Sequence, residues 1–197
     1  MYVRDFMSTK LVTASPSAML VETLQPLLGS KFRHLPICEG DRLVGLLTKT
    51  DLLRIVWKQA QIHGQRLDLL DHLQHAPIAD VMARKLITIA PSESVERAAL
   101  LMRDHKIGCL PVVEDGDRLV GILTETNVFD AMVDAMGLRR GGARIDLPIS
   151  RDHEGETIAG LIERWRADGL WPVSMAMYTS RTGDKTHLVA RVRGPRD

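Results

Sequence analysis

Hydrophobic and polar residues follow one another in short stretches that predict the same series of elements twice. The stretches "LVTAS" and "LITIA", which begin at Leu11 and Leu86, are rich in β-branched residues and stop at a proline, which is typical of strands. "HLPIC" and "CLPVVE" predict strands as well. "RLVGLLT" and "RLVGILT" predict their hairpin partners across the turns "EGD" and "DGD".

Helical patterns complete each series. Apolar residues between Val95 and Met102 recur at i, i+3, i+4 and i+7, which predicts an amphipathic helix, and the first series keeps this stripe with a kink expected at Pro26. The stretches "DLLRIVWKQ" and "NVFDAMVDA" predict closing helices, with Thr50 and Thr126 as N-caps. Each series is therefore strand, helix, strand, strand, helix.

The two series are copies of one unit. Residues Val3–Ser17 match Ile78–Ser92 at an offset of 75, and "HLPI" matches "CLPV" at the same offset. "GDRLVGLLTKTD" from Gly40 matches "GDRLVGILTETN" from Gly116 at an offset of 76, so the second copy has one more residue before this phrase. Such self-similarity indicates a repeat architecture in which neighbouring units bury a common core.

The repeated phrase carries candidate binding chemistry. Its glycine allows a close approach to the backbone, its threonine places a hydroxyl at the end of a strand, and an Asp or Asn follows in the first turn of a helix. Free N–H groups and the positive helix dipole favour a phosphate there, and a carboxylate can accept hydrogen bonds from a ribose diol. These residues are Gly45, Thr48 and Asp51 in the first copy and Gly121, Thr124 and Asn127 in the second. Asp51 could instead only cap its helix.

Composition narrows the classes of protein. Hydrophobic residues make up 45% and charged residues 26% of the chain, as in globular proteins. A net charge of +1 and 4% aromatic residues argue against binding to nucleic acid. Neither a signal peptide nor an apolar run of membrane length is expected, and Cys38 and Cys109 are interpreted as buried free thiols, so we expect a cytoplasmic protein.

The repeat resembles the CBS domain family, and two copies in tandem resemble a Bateman module. The pattern Gly–apolar–x–Thr–x–x–Asp carries this resemblance, together with the "V/I-T-x-x-P" and "L-P-V/I" stretches before it. The resemblance implies an α+β fold with two repeats packed as a pseudo-two-fold pair. The expected divisions are 1–58 for the first repeat, 59–77 for a linker helix, 78–136 for the second repeat, 137–144 for a Gly/Arg linker and 145–197 for a further domain.

The same resemblance implies an adenine nucleotide in the cleft between the repeats. Asp51 would bind the ribose hydroxyls and Thr48 the ribose or phosphate. The adenine would lie along Thr13, Ala14, Thr88 and Ile89. Residues before "LP" point toward phosphates in relatives; here they are Lys31, Arg33 and His34 in the first copy and His105, Lys106, Gly108 and Cys109 in the second.

The copies are unequal in this chemistry. The first has a carboxylate and Arg33, which suits a forked phosphate contact, whereas the second has a neutral amide and no arginine at the equivalent place. We therefore expect one strong site, centred on Asp51 and Thr48, and one weak or empty site around Asn127. Arg33 could alternatively be a solvated surface residue.

The segments outside the repeats carry weaker signals. His72 and His75 stand on the linker helix without further metal ligands, so no metal is expected. The pattern strand, helix, strand, strand after residue 144 resembles the first part of the ACT domain family. Asp152 and Gly155 match the turn in which such domains bind amino acids, although the segment lacks their second helix and fourth strand.

Together, the motifs and the family resemblances predict a non-catalytic sensor protein. A CBS pair followed by an ACT-like tail resembles the bacterial acetoin-utilisation proteins, which implies a regulatory nucleotide, a regulated partner protein and no catalytic cofactor. Apolar helix faces at 52–57 and 128–133, and an uncovered sheet edge in the tail, predict a homodimer. The alternatives are an enzyme of unknown reaction and an amino-acid sensor acting through the tail.

Overall fold

The hairpins predicted in both repeats are present and join into one antiparallel sheet. Its strands are β1 (His34–Glu39), β2 (Arg42–Thr48), β3 (Cys109–Glu114) and β4 (Arg118–Thr124). β2 and β4 meet through the pair Arg42 and Arg118, which gives the strand order β1-β2-β4-β3. The structure is a computed structural model, and it describes residues 1–29, 32–63, 71, 73–149, 154–181 and 186–194.

The first predicted strand of each repeat is not a strand. The segments 11–15 and 86–90 each make a single parallel bridge, from Ala14 to Ile37 and from Ile89 to Val112. Pro16 and Pro91 end both segments directly after the bridge, because proline has no N–H with which to extend a ladder. The prediction of strands here was wrong, although the two copies deviate in the same way.

The helices follow the sequence pattern with one further difference. They are α1 (Val3–Phe6), α2 (Leu24–Leu28), α3 (Lys49–His63), α4 (Val95–His105) and α5 (Glu125–Ala135). In the first repeat a 3-10 turn at Leu20–Thr23 precedes α2, and Pro26 lies in the first turn of α2, where its missing N–H costs no helical hydrogen bond. The predicted kink is therefore a change of helix type. α3 also continues past residue 59, where the linker was expected to begin.

The hydrophobic core of the first repeat includes side chains from beyond that repeat. Leu73 precedes the second repeat, and Ile78 and Met82 belong to it, yet all three are buried in this core. Burying such a side chain contributes about 1.5–3 kcal/mol. The core is completed by Leu20, Leu27, Leu35, Ile37, Leu47 and Leu52. The first repeat therefore does not enclose its core alone, as the duplication suggests.

The C-terminal segment forms a second, smaller sheet. It contains β5 (Ala143–Ile149), α6 (Glu154–Ala167), β6 (Trp171–Thr179) and β7 (Thr186–Arg193), as the sequence pattern predicts. β7 pairs antiparallel with both neighbours, in the order β5-β7-β6. Its core consists of Ile149, Trp165, Leu188, Ala190 and Val192.

The chain divides into the compact units Met1–Val128 and Phe129–Asp197. The predicted Gly/Arg linker at 137–144 is partly ordered structure, because Leu138–Arg140 form a 3-10 turn and β5 begins at Ala143. Ser174 Oγ donates to the carbonyl of Met136 over 2.7 Å, which fixes the start of this segment against β6.

Over the described residues, the search for a helix with the length and apolar character of a membrane span finds none. The cytoplasmic location stays a prediction. Both cysteines are free and buried, in agreement with the interpretation from sequence.

Candidate functional site

The end of β2 and the start of α3 are joined by a reciprocal capping box. Thr48 Oγ1 accepts from the backbone N–H of Asp51 (3.1 Å), while Asp51 Oδ2 accepts from the Thr48 backbone N–H (3.2 Å) and hydroxyl (2.6 Å). Thr48 is therefore the N-cap of α3, and the expected N-cap Thr50 lies inside the first turn. The sequence prediction was displaced by two residues because the helix begins directly where the strand ends.

The second repeat contains the same arrangement with an amide. Asn127 Oδ1 accepts from the Thr124 backbone N–H (2.8 Å) and hydroxyl (2.7 Å), and Thr124 Oγ1 accepts from the Asn127 N–H (3.4 Å). Thr124, rather than the predicted Thr126, is the N-cap of α5. An acceptor oxygen is thus all that the cap requires, and either Asp or Asn supplies it.

The two caps differ in what the remaining polar atom offers. Asp51 keeps a charged oxygen, Oδ1, which lies 3.4 Å from Arg54 and can accept further hydrogen bonds. Asn127 uses its oxygen within the cap, so its remaining group is an NH₂ donor. At this position of the cap, the first repeat therefore offers a carboxylate to a pair of hydroxyls and the second offers an amide.

A cavity of about 590 Å³ opens beside the first cap. Its volume lies within the range of roughly 300–1,000 Å³ that is usual for ligand pockets. The first repeat contributes Arg33, His34, Leu46, Thr48, Lys49, Thr50, Asp51 and Leu53. The second repeat contributes Ala83, Lys85, Leu86, Ile87, Lys106, Ile107, Gly108, Cys109, Pro111 and Glu125. We call this the first cavity.

A smaller cavity of about 190 Å³ lies beside the second cap and is called the second cavity. The first repeat lines it with Ser8, Lys10, Leu11, Val12, Phe32, Arg33, His34 and Pro36. The second repeat lines it with Ile122, Thr124 and Thr126. Arg33 and His34 line both cavities, so the arginine assigned from sequence to the first site is shared.

Each cavity lies beside the cap of one repeat and is lined in part by a segment of the other repeat. The segment Lys10–Val12 of the first repeat lines the cavity at Thr124, and its counterpart Lys85–Ile87 of the second repeat lines the cavity at Thr48. Lys10 and Lys85 were not among the predicted site residues. Their signal in the sequence is the dipeptide Lys-Leu, which recurs at the offset of 75 just before the stretches that were interpreted as strands.

The repeated glycines allow close approach of a methionine of the other repeat. A Cβ at Gly45 would overlap the Met82 side chain, and a Cβ at Gly121 would overlap that of Met7. Backbone bridges from Leu46 to Ala83 and from Ser8 to Ile122 continue these contacts. Gly45 and Gly121 thus lie behind the cavities, at the crossing of the repeats, rather than on the cavity walls described above.

The residues expected along an adenine ring lie beside the hairpins. Ala14 N donates to the Pro36 carbonyl (3.2 Å), and Ile89 N donates to the Pro111 carbonyl (3.1 Å). Thr13, Ala14, Thr88 and Ile89 are not among the described residues that line the two cavities. Their role toward a ligand stays a prediction, and the segments just before them occupy the cavity walls.

Cations dominate the charge of the first cavity. Arg33, Lys49, Lys85 and Lys106 line it together with the carboxylates Asp51 and Glu125. Burial, and then the neighbouring Arg33, lower the pKa of His34, while Glu125 and Asp51 oppose this shift. His34 is therefore neutral at pH 7, and the net positive charge of the cavity favours an anionic ligand.

The thiol of Cys109, which lines the first cavity, is not activated. Burial, with a smaller effect from Glu125, raises the pKa of Cys109 to about 12, which makes this thiol a poor nucleophile. The search for clusters of metal-binding side chains, made over the described residues, finds none. Lys31, His72 and Asp152 fall outside the described residues, and Gly155 lies in α6 without a described environment.

A model of the CBS domain family matches residues 3–58 and 78–134. The two matches coincide with the two repeats and cover more than half of the chain. The chain therefore belongs to the CBS domain family and carries two copies of the domain in tandem.

Relatives of known sequence are similar over the same part. An uncharacterised protein of Methanocaldococcus jannaschii is 26% identical over 127 residues, which is 64% of this chain and 45% of that protein. The homoserine O-acetyltransferase of Methanohalophilus mahii is 33% identical over 66% of this chain but only 24% of that enzyme. The CBS domain-containing protein YhcV of Bacillus subtilis is 29% identical over 73% of this chain and 91% of YhcV. The chain spans less than half the length of the first two.

Two of three similar solved structures contain adenine compounds. CBSX2 in complex with AMP is 30% identical with a TM-score of 0.56, over 67% of this chain and 96% of that one. The CBS pair of the protein MJ0100, in complex with 5′-methylthioadenosine and S-adenosylmethionine, is 28% identical with a TM-score of 0.54, over 67% and 95%. A protein of Vibrio cholerae named for acetoin utilisation (AcuB) is 27% identical with a TM-score of 0.58, over 71% and 96%.

Proposed function

We propose that this protein is a non-catalytic sensor that binds AMP, ADP or ATP in the first cavity and signals its occupancy to a partner protein. The observation that carries the proposal is the meeting of the Asp51 carboxylate with Lys85 and Lys106 from the other repeat in one cavity. A ribose diol and a phosphate require these two chemistries side by side.

Because both repeats line the first cavity, each binds a different part of the nucleotide in this proposal. The first repeat supplies Asp51 for the ribose, with Thr48 holding this carboxylate through the cap, and the second supplies Lys85 and Lys106 for the phosphate. Leu86 and Ile87 offer an apolar wall for the base. A ligand that contacts both repeats stabilises their packing, and this gives binding a route to a change that a partner can detect.

Charge favours a nucleotide over the other adenine compounds found in similar structures. S-adenosylmethionine carries a sulfonium cation and 5′-methylthioadenosine carries no phosphate, so neither gains from Arg33, Lys85 and Lys106 as a nucleotide would. We therefore expect the order AMP, ADP or ATP before S-adenosylmethionine.

Isothermal titration calorimetry with AMP, adenosine and S-adenosylmethionine tests this proposal. Loss of a hydrogen bond to a charged group costs about 1.5–3 kcal/mol, so AMP is expected to bind at least tenfold more tightly than adenosine. Lys85→Met is expected to remove this advantage, and the matched variant Lys10→Met is expected to keep it. Equal affinities for AMP and adenosine would contradict the assignment of the phosphate.

The absence of turnover is part of the same proposal. Incubation with ATP at saturating concentration is expected to leave the nucleotide intact, and hydrolysis that persists after repurification and disappears in Asp51→Asn would favour an enzyme. A link to acetoin or related carbon metabolism is supported by the similarity to AcuB.

A homodimer is proposed for the full chain. Leu53 and Trp57 on α3 are 49% and 66% exposed. In the second unit, the edge strand β6 ("WPVSMAMYT") carries no charge, whereas the opposite edge strand β5 carries Arg144, Asp146 and Pro148. Edge strands are usually protected by such charges and prolines. β6 carries only Pro172, close to its start, so the stretch after it is suited to pairing with β6 of a second copy.

Sedimentation tests the dimer. The wild-type chain is expected above 22 kDa at micromolar concentration. Ala176→Lys on β6 is expected to shift it toward the monomer, while Ala143→Lys on β5 is expected to have no effect. A monomeric wild-type chain, or equal effects of the two variants, would contradict pairing through β6.

The ACT-like nature of the C-terminal unit is supported by its topology. A strand, a helix and a hairpin whose last strand lies between the other two form a split β-α-β unit, as in the first part of an ACT domain. An amino-acid sensor is therefore the alternative function. A thermal-shift screen of the common amino acids tests it, with a shift abolished in Asp152→Ala as the favourable result.

A further inference from the structure

The second cavity differs from the first in size and charge, although the two lie beside equivalent caps. Its volume of about 190 Å³ is a third of that of the first cavity. It also falls below the roughly 300 Å³ at which pockets for drug-sized ligands begin. A ligand for this cavity has to be much smaller than a nucleotide.

We propose that the second cavity is a site for a small oxyanion of the size of inorganic phosphate, and that this anion competes with the nucleotide for Arg33. The proposal names a second ligand class for the chain. The oxyanion site itself does not depend on nucleotide binding in the first cavity; the competition rests on the proposed function.

Among the described residues, the charged groups around the second cavity are positive. Lys10 and Arg33 line it and no carboxylate of the described part of the chain does, whereas Asp51 and Glu125 partly offset the cations of the first cavity. Among the described residues, neither Lys10 nor Arg33 forms an ion pair. Arginines elsewhere on this unit do find carboxylates, for example Arg42 with Glu39 and Arg118 with Glu114 at 2.8 Å each.

The neutral polar groups of the cavity are hydroxyls, which can donate to an anion. Thr124 is occupied by its cap, but Ser8 and Thr126 also line the cavity and each carries a hydroxyl. Ser8 is held in place through its backbone, which exchanges hydrogen bonds with Ile122 at 2.9 and 3.0 Å. Two cations and two hydroxyls match a tetrahedral, multiply charged oxyanion better than a singly charged carboxylate.

Arg33 connects this site to the first cavity because it is a lining residue of both. A guanidinium that forms a forked contact with one anion is not free to form it with another. Phosphate in the second cavity is therefore expected to weaken AMP binding. By thermodynamic linkage, AMP must weaken phosphate binding by the same factor.

Titration of the full chain with inorganic phosphate, followed by ³¹P NMR at constant ionic strength in chloride, tests the site. Phosphate is expected to bind wild type and Lys85→Met alike, and at least tenfold more weakly to Lys10→Met and to Thr126→Val. Acetate at the same concentration is expected not to displace it. Failure of wild type to bind phosphate would overturn the proposal, as would loss of binding in Lys85→Met but not in Lys10→Met.

The coupling is measured by repeating AMP calorimetry at saturating phosphate. The Kd of AMP is expected to rise at least threefold in wild type, beyond any change caused by chloride of equal ionic strength, and not to rise in Lys10→Met. An AMP stoichiometry of two per chain, reduced to one by Lys10→Met, would show a second nucleotide site and overturn the proposal. If AMP does not bind at all, the proposed function fails while the phosphate titration still decides this site.

Discussion

The two repeats build the same cap and present different chemistry beside it. Thr48 with Asp51 and Thr124 with Asn127 form hydrogen bonds of nearly the same length, so the local structure does not need the charge of Asp51. The possibility that Asp51 serves only as a helix cap therefore leaves its charge unexplained. In the first cap Asp51 Oδ2 holds the helix, and Oδ1, to which Arg54 donates over 3.4 Å, is the oxygen that the proposed ribose contact would use.

The largest effect is expected from truncation of Asp51 and Asn127, which tests whether the two repeats differ in ligand binding. Asp51→Ala is expected to weaken AMP binding by roughly ten- to a hundredfold, because a charge-assisted hydrogen bond is worth about 1.5–3 kcal/mol. Asn127→Ala is expected to change the same affinity much less. Calorimetry on both variants measures the difference.

Melting of the ligand-free variants provides the control for this truncation. Each loses a cap worth about 0.5–2 kcal/mol, so both are expected to melt at similarly lowered temperatures. Equal losses of AMP affinity at the two positions would mean that the repeats are not functionally distinct. Unchanged affinity in Asp51→Ala would remove its ribose role.

The repeats are alike in packing a glycine against a methionine of the other repeat. Gly45→Val is expected to destabilise the protein by about 1–3 kcal/mol, because the added side chain overlaps Met82 of the other repeat. Gly121→Val is expected to have a similar effect through Met7. Chemical denaturation measures both.

The packing of each glycine against a methionine of the other repeat is tested by a second substitution that restores stability. Met82→Ala is expected to relieve Gly45→Val, with a coupling energy of about 0.5–3 kcal/mol, while Met7→Ala is expected to leave it unrelieved. Rescue of Gly45→Val by Met7→Ala instead would contradict the crossed packing.

The repeats and their hairpins could be predicted from sequence because these signals are local. A turn flanked by apolar runs and a recurring phrase both lie within a few residues. The N-caps could also have been found, since "TKTD" and "TETN" fit a Thr-x-x-Asp/Asn cap, but the helices were assumed to begin two residues later.

The contacts between the two repeats could not be predicted from sequence spacing in the same way. Lys85 and Asp51 share a cavity although they are far apart in sequence, because two repeats pack against each other through long-range contacts. The isolated β-bridges of segments 11–15 and 86–90 also depend on long-range contacts. Their β-branched residues favour extended structure, but tertiary packing limits each segment to one bridge.

A smaller effect is expected when the chemistry of the two caps is exchanged. Asp51→Asn keeps an acceptor for the cap and removes only the charge, so ligand-free melting is expected to stay close to that of wild type. AMP affinity is expected to fall about tenfold, the difference between a charged and a neutral hydrogen bond. Asn127→Asp is the reverse control and is expected to preserve AMP binding in the first cavity. A fall in melting temperature without a fall in affinity would restore the interpretation of Asp51 as a cap alone.

The smallest expected effect is a pH dependence that arises where the two cavities share a wall. Burial and Arg33 lower the pKa of His34, against Glu125 and Asp51, so the folded protein binds fewer protons here than the unfolded chain. Its contribution to stability is therefore complete above about pH 6.5 and is lost as the pH falls below that value. A bound phosphate stabilises the protonated imidazole, so AMP affinity is expected to rise as the pH falls from 7 to 5.5.

A rise of one unit in the pKa of His34 on binding corresponds to about tenfold in affinity, and a partial rise is expected to give roughly threefold. The nucleotide phosphate also titrates near pH 6, so the measurement is the difference between wild type and His34→Gln across this range. A ratio of the two affinities that widens toward low pH supports His34 as a phosphate contact. A constant ratio would contradict a contact between His34 and the phosphate of the ligand.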